Sequence, residues 1–200
     1  EIQNWVGTVS ISGKGLADNL EKHLKAYATD SVEIKEGERA ELVEDSDGGF
    51  AIKTDSGEYR AKTVLAASGS HRRKLDIKGA KDFEHKGISY CASCDGPLFA
   101  EKNVFVIGGG NSAFETASQL LAYCETVTLL NRGSEYRADP ITVKKVLQNP
   151  KMKSILNARL AEIKGDKFVS SLVYTKGESK KKIEIKTDGI FVEIGLIPAV

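Results

Sequence analysis

The sequence predicts an α/β protein organised on parallel strands, with a small antiparallel meander ahead of the main sheet. Three observations carry that expectation. Thr63-Val64-Leu65-Ala66-Ala67 and Asn103-Val104-Phe105-Val106-Ile107 are apolar with little polar alternation, as strands covered on both faces are. Gly108-Gly109-Gly110 joins the second run to a helical pattern and then to another apolar run, Thr126-Val127-Thr128-Leu129-Leu130. Between residues 41 and 61, short strand candidates alternate with turn-forming residues.

Taken in order, Leu16, Leu20, Leu24 and Tyr27 recur at helical spacing, with Lys and Glu on the opposite face. Glu41 to Val43, Phe50 to Lys53 and Glu58 to Ala61 are the meander strands, separated by Asp45 to Gly49 and by Asp55-Ser56-Gly57. The run from Thr63 then ends at Ser68-Gly69-Ser70, and polar residues from His71 to His85 form a connection. After the strand from Asn103, one helix face is marked by Ala113, Ala117, Leu120, Leu121 and Cys124. A further helix is expected over Ile141 to Gln148, and a hairpin over Val169 to Thr175 and Lys182 to Lys186, turning near Gly177. Ile190 to Ile194 is the last strand, closed by Gly195.

With 200 residues, the chain is long enough for one large or two small domains. Apolar content of 40% and a formal net charge of +1 describe an ordinary soluble globular protein. His71-Arg72-Arg73-Lys74 and Lys180-Lys181-Lys182 are short and not interleaved with aromatics, so they read as solvated surface. No run approaches the roughly 18 apolar residues of a membrane span, and no signal peptide is evident. Neither nucleic acid nor a membrane is expected as a partner, and a cytoplasmic location is expected. The sequence starts at Glu1 without Met and stops after an apolar run, which is expected of a piece of a longer protein.

Gly108-x-Gly110-x-x-Ala113 is the G-x-G-x-x-[GA] pattern, set between a buried strand and an amphipathic helix. Gly108 permits the tight turn, and Gly110 has no side chain to obstruct a pyrophosphate. Ala113 lets the helix approach the sheet. Asn111 and Ser112 open the helix, where free N–H groups and the dipole favour phosphate. The alternative is an empty crossover. At the end of the second strand, an acidic residue would select the ribose hydroxyl of NAD. Asn131, Arg132 and Arg137 stand there instead, a neutral acceptor and two guanidiniums suited to a 2′-phosphate. NADPH is the expected nucleotide, with Glu135 between the arginines as a contrary sign.

Cys91 and Cys94 form a C-x-x-C pair, and Cys124 stands alone on an apolar helix face as core. A redox dithiol, half a zinc site and incidental thiols are the readings of such a pair. Zinc requires two further ligands, and there is neither a second C-x-x-C nor a paired His, so no metal is expected. If Cys94 opens a helical turn, the spacing brings the sulfurs within disulfide range and the helix N-terminus favours a thiolate. Asp95 is either a general acid/base for thiol exchange or a helix N-cap.

Tyr90-Cys-Ala-Ser-Cys-Asp-Gly-Pro-Leu-Phe99, followed by Val106-Ile-Gly-Gly-Gly-Asn-Ser-Ala-Phe-Glu115, closely resembles the low-molecular-weight, bacterial-type thioredoxin reductases, in the class II pyridine nucleotide-disulfide oxidoreductases. Four further segments agree in order. Glu1-Ile2-Gln3-Asn4-Trp5 resembles that family's flavin-facing E-x-x-N-[WY], and Ala67-Ser68-Gly69 its A-T-G turn. Asn131-Arg132 through Arg137-Ala138 resembles its H-R-R-x-x-x-R-A segment, with Asn for His and Gly133 where an arginine is usual. Gly189 to Pro198 resembles its G-V-F-x-x-I-G-x-x-P strand.

The resemblance implies two dinucleotide-binding, Rossmann-like domains. Residues 1–85 would be part of an FAD-binding domain, and residues 86–200 the NAD(P)H-binding domain carrying the redox pair. Asn4, Ala67, Ser68 and Gly69 would then face FAD. Cys94 would meet the reduced flavin, Cys91 would attack the protein substrate, and Asp95 would be the acid/base. Electrons would pass from NADPH through FAD and the Cys91–Cys94 disulfide to thioredoxin or a thioredoxin-like protein disulfide. The family alternates two domain orientations to do this, with the His71-to-His85 connection absorbing part of the rotation, and its members are homodimers. Its N-terminal flavin fingerprint and C-terminal G-D segment fall outside this sequence. The FAD domain is therefore expected to be incomplete, and this stretch alone to bind FAD poorly and be inactive.

The nearest rival is the NADH-dependent flavoprotein reductase of the alkyl hydroperoxide system, which shares the Cys-Asp-Gly-Pro-Leu-Phe run; Arg132 and Arg137 argue against it. A redox-inactive nucleotide-binding module is a further reading, opposed by the retained Cys91, Cys94 and Asp95, and a zinc-binding connector is another, opposed by the lack of two further ligands.

Overall fold

The computed structural model describes residues 2–3, 5–179 and 181–199. They form two compact units, Glu1–Ala66 and Ala67–Val200.

In the first unit, helix α1 (Gly13–Tyr27) starts at Ser12, whose side chain accepts the Gly15 N–H at 3.0 Å. Its apolar stripe is the one expected, yet none of its residues is buried. Strands β1 (Ala40–Ser46), β2 (Gly49–Thr54) and β3 (Glu58–Ala61) make the expected antiparallel meander. Glu38 steadies it by accepting from Tyr59 Oη at 2.7 Å and from Thr54 Oγ1 at 2.5 Å. The run Thr63 to Ala67 is not the buried strand the sequence predicts. It pairs with no strand among the described residues, and Leu65 is 91% exposed. A strand buried on both faces requires neighbours in its sheet and cover above and below. Among the described residues this unit supplies one helix and the meander.

The second unit contains β4 (Ser70–Arg72), β5 (Ile88–Ser89), the short helix α2 (Ala92–Asp95) with a 3₁₀ turn at Gly96–Phe99, β6 (Asn103–Ile107), α3 (Asn111–Leu120) and β7 (Thr126–Leu130). It continues through α4 (Pro140–Leu147), β8 (Met152–Ile155), β9 (Ala158–Gly165), β10 (Val169–Lys176), β11 (Lys182–Lys186), β12 (Gly189–Val192) and β13 (Leu196–Pro198). A five-stranded parallel sheet runs β5-β12-β6-β7-β8. An antiparallel sheet, β11-β10-β9, covers one face, while α3 and α4 cover the other.

The period-two geometry of a strand explains both layers. Along β6, Val104 and Val106 join the helix-side core with Ala113, Phe114, Ala117 and Leu120. Phe105 and Ile107, one residue out of phase, join the other core with Ile163, Leu172 and Tyr174. Every residue of β6 after Asn103 is therefore apolar. Helix α4 begins one residue before the expected Ile141, because Asp139 accepts the Thr142 N–H at 2.9 Å and Pro140 fits the first turn.

Residues 67–85, read from sequence as the end of the first domain, belong by packing to the second unit. Strand β4 pairs with β13, the Ile163 N–H donates to the Lys78 carbonyl at 3.0 Å, and Ala80 and Phe83 enter the core beside β10. Strands β8 and β9 were not anticipated. Among the described residues no helix is long and apolar enough to cross a membrane.

Candidate redox and nucleotide site

Cys91 and Cys94 are joined in a disulfide, with Cα atoms 5.3 Å apart. The helical turn that brings them together opens at Cys91, three residues before the expected Cys94. Cys91 is itself the N-cap of α2, and its Sγ accepts the Cys94 N–H at 3.2 Å. The Ser93 hydroxyl lies 3.4 Å from the same sulfur. These two groups favour negative charge on Cys91. Cys94 is exposed and Cys91 half-buried.

Asp95 makes no side-chain cap for the following turn, which removes the N-cap reading. Its Oδ2 accepts from Ser89 Oγ at 2.6 Å, and Ser89 Oγ accepts the Cys91 N–H at 3.1 Å. Ser89 is buried at the end of β5 and was not singled out from the sequence. A lone serine in a two-residue strand has no pattern to find it by. Phe99 fixes the far end of the segment, lying edge-on to Phe191 with ring centres 5.2 Å apart. The segment borders a cavity of about 530 Å³ lined in part by His85, Ser89, Asp95, Phe99, Lys102 and Asp188.

The glycine turn lies at the opposite, carboxyl end of β6. Gly108 has φ +147°, and a Cβ there would stand 2.2 Å from the Glu193 carbonyl oxygen. Ala113 is fully buried against this turn. Gly110 precedes α3 without a side-chain cap, and nothing lies within 4 Å of where its Cβ would be. Asn111 and Ser112 are exposed, and as first-turn residues their N–H groups have no intrahelical acceptors. Asn111 Oδ1 accepts the Asp139 N–H at 2.7 Å, tying the helix start to the 131–139 loop. The turn therefore fits a dinucleotide pyrophosphate.

Arg132 and Arg137 are exposed, and neither guanidinium has an ion pair among the described residues. The Arg137 N–H donates to the Gly109 carbonyl at 2.7 Å, so this arginine is held beside the glycine turn. Asn131 is not a free acceptor, as the sequence suggested. It is buried, its Oδ1 accepts the Gly133 N–H at 3.4 Å, and its Nδ2 donates to the Glu135 carbonyl at 2.7 Å and to that of Gly133 at 3.3 Å. Its work is to shape the loop that presents the arginines.

Of the residues expected to face a flavin, Asn4 lies outside the described residues. Ala67, Ser68 and Gly69 are exposed, and Gly69 (φ +78°) is open where a Cβ would stand, so a ligand can approach that turn. Among the described residues no three His, Cys, Asp or Glu side chains converge on a point.

The family described as pyridine nucleotide-disulphide oxidoreductase matches residues 2–200. The chain belongs to that family. It shares 35% identity over 198 residues with an NADH dehydrogenase of Bacillus subtilis. A Pseudomonas aeruginosa protein, an alkyl hydroperoxide reductase subunit, shares 35% over 199 residues. Both alignments cover 98% of this chain and 38% of the relative, so the chain spans well under half of those proteins. The crystal structure of Lactococcus lactis thioredoxin reductase superposes with a TM-score of 0.71 at 33% identity, over 99% of this chain and 64% of that one. Thioredoxin reductase of T. acidophilum superposes at 0.69 with 35% identity, over the same shares. This family member thus has a partial, mixed α/β fold of the Rossmann-like FAD/NAD-binding type, similar in structure to these thioredoxin reductases.

Proposed function

We propose that this oxidoreductase passes electrons from NADPH, through FAD, to the Cys91–Cys94 disulfide and on to a protein disulfide such as that of thioredoxin. The observation that carries the reading is the Cys91–Cys94 disulfide, with Asp95 on the same turn, in a unit whose glycine turn has room for a pyrophosphate. Gly108 to Ala113 hold the pyrophosphate, and Arg132 and Arg137 bind the 2′-phosphate. Ala67 to Gly69 contribute to a flavin site completed by the rest of the protein, which works as a homodimer in the cytoplasm. When bound, FAD supplies a two-electron relay between the nicotinamide and a disulfide.

The chain's own residues perform the exchange. The Cys91 thiolate, favoured by the Cys94 N–H and the Ser93 hydroxyl, attacks one sulfur of the substrate disulfide. The departing substrate thiolate takes a proton from the Asp95 carboxyl. Cys94 then attacks the Cys91 sulfur, giving its proton to Asp95 and re-forming the disulfide. The second substrate thiolate leaves and is protonated from Asp95. Two electrons and two protons leave the dithiol form, and both substrate sulfurs become thiols.

A second reading is an NADH-dependent reductase serving a hydroperoxide-reducing partner. It is favoured by the two relatives above, named as an NADH dehydrogenase and an alkyl hydroperoxide reductase subunit. Calorimetric titration of NADP⁺ and NAD⁺ decides between them without requiring turnover. NADP⁺ is expected to bind about 10-fold tighter or more, and Arg132→Ala with Arg137→Ala to abolish that difference while leaving NAD⁺ unchanged. Tighter binding of NAD⁺ selects the second reading. Reduction of oxidised thioredoxin by the full-length flavoprotein tests the acceptor.

A further inference from the structure

We propose that Ser89 is the positioning residue for the Asp95 acid/base group, a role that rests on the dithiol exchange described above. Ser89 has one hydroxyl proton and two oxygens within reach. Asp95 Oδ2 lies 2.6 Å away and the Cys91 carbonyl 3.4 Å, so the proton goes to the carboxylate. The Ser89 lone pairs receive the Cys91 N–H at 3.1 Å. One buried hydroxyl therefore ties the carboxylate to the peptide of the attacking cysteine.

This geometry answers a specific need. Asp95 must give and take protons at sulfurs in two successive steps, and a carboxylate swinging on χ1 and χ2 would rarely face them. Ser89 sits on β5, an edge strand of the parallel sheet that pairs with β12. It is thus anchored to the core, not to the redox turn it steadies. With Oδ2 engaged, Oδ1 is the oxygen free to exchange a proton. The charged and titratable groups sharing the adjoining cavity are His85, Lys102 and Asp188. None of these is bonded to the Asp95 carboxylate, whereas Ser89 is.

The test is a single-turnover exchange. The full chain is reduced with dithiothreitol, desalted and mixed with hydroxyethyl disulfide, an aliphatic disulfide with a basic leaving thiolate. Maleimide quenching and mass spectrometry then follow closure of Cys91–Cys94. Asp95→Asn is expected to slow closure about 100-fold, Ser89→Ala about 10-fold, and Ser89→Thr by no more than about threefold. The double variant Ser89→Ala/Asp95→Asn is expected to be no slower than Asp95→Asn alone, because Ser89 acts through the carboxylate. Loss of the Cys91 N–H contact alone would instead persist in the Asp95→Asn background, so multiplicative losses overturn the proposal. So does a Ser89→Ala protein as fast as the parent. An Asp95→Asn protein as fast as the parent sinks the acid/base reading itself, a result distinct from either.

Discussion

Three cysteines occupy three environments, and their reactivity should divide accordingly. Cys124 is fully buried between α3 and β7, and burial pushes its thiol up to about 11, against a small opposing effect of Lys151. At neutral pH roughly one molecule in ten thousand then carries its thiolate, the form that reacts. After reduction, iodoacetamide is expected to label Cys94 and Cys91 in the native chain and to reach Cys124 only on unfolding. Labelling of native Cys124 at a rate comparable to Cys94 would refute that assignment. The fate of Cys124 was legible in its spacing from Ala113, Ala117 and Leu120. That of Asn131 was not. It stands where the family pattern places a ligand-facing residue, but whether its amide turns outward or onto the Gly133 and Glu135 carbonyls depends on the path of the loop. Ser89 was hidden for the same reason, since its bond to Asp95 exists only once β5 and α2 meet at a turn.

Two glycines of the β6–α3 turn look alike in sequence and do different work, which a pair of variants separates. Gly108 has a φ that L side chains rarely adopt, and its Cβ would enter the Glu193 carbonyl of the neighbouring strand end. Gly108→Ala is expected to cost about 2 kcal/mol or more of stability. Gly110→Ala meets nothing within 4 Å and has φ −97°, so its melting temperature should match the parent's. Its methyl group would instead occupy the space of the pyrophosphate, and NADP⁺ affinity is expected to fall about 10-fold or more. Equal melting losses in the two variants, or unchanged affinity in Gly110→Ala, would contradict this division. The turn was readable from sequence because strand, glycines and helix are consecutive and each constrains the next. The apolar run at Thr63 to Ala67 had the same local pattern and misled, because burial of a strand is decided by partners elsewhere in the sheet. Strand β9 went unseen for the converse reason. In Ala-Arg-Leu-Ala-Glu-Ile-Lys-Gly the polar residues interrupt the apolar ones, and pairing with β10 across a bulge supplies the order that the pattern lacks.

Across the second unit, lysine–carboxylate pairs at the surface tie segments together, and these set its response to acid. Lys74 bonds Glu84 within the 71–85 connection, Lys78 bonds Glu162 of β9 at 2.8 Å, and Lys164 of β9 bonds Glu184 of β11 at 2.6 Å. Glu184 also accepts from Ser171 Oγ of β10, so three strands of the antiparallel sheet meet at one carboxylate. In each case the lysine hydrogen bond, joined for Glu184 by that of Ser171, outweighs desolvation and, with a smaller effect of neighbouring charge, holds the carboxyl below its ordinary value of 4.5. The unfolded chain therefore binds protons at these sites before the folded one does. Their contribution is fully present above pH 4.5 and is lost as the pH falls through the lower folded values. The lysines are solvent-facing while Glu84 and Glu162 are partly buried, so salt screens the pairs in part. Urea midpoints at low salt are expected to hold steady from neutral pH down to about 5 and to decline below it. The Glu84→Gln/Glu162→Gln/Glu184→Gln variant should start lower and decline less steeply over that acid range, with the difference from the parent narrowing in high salt. An acid slope unchanged by the three substitutions would move the pH response to other carboxylates. The pairs would then be surface contacts with no share in holding the 71–85 connection and the β9-β10-β11 sheet together.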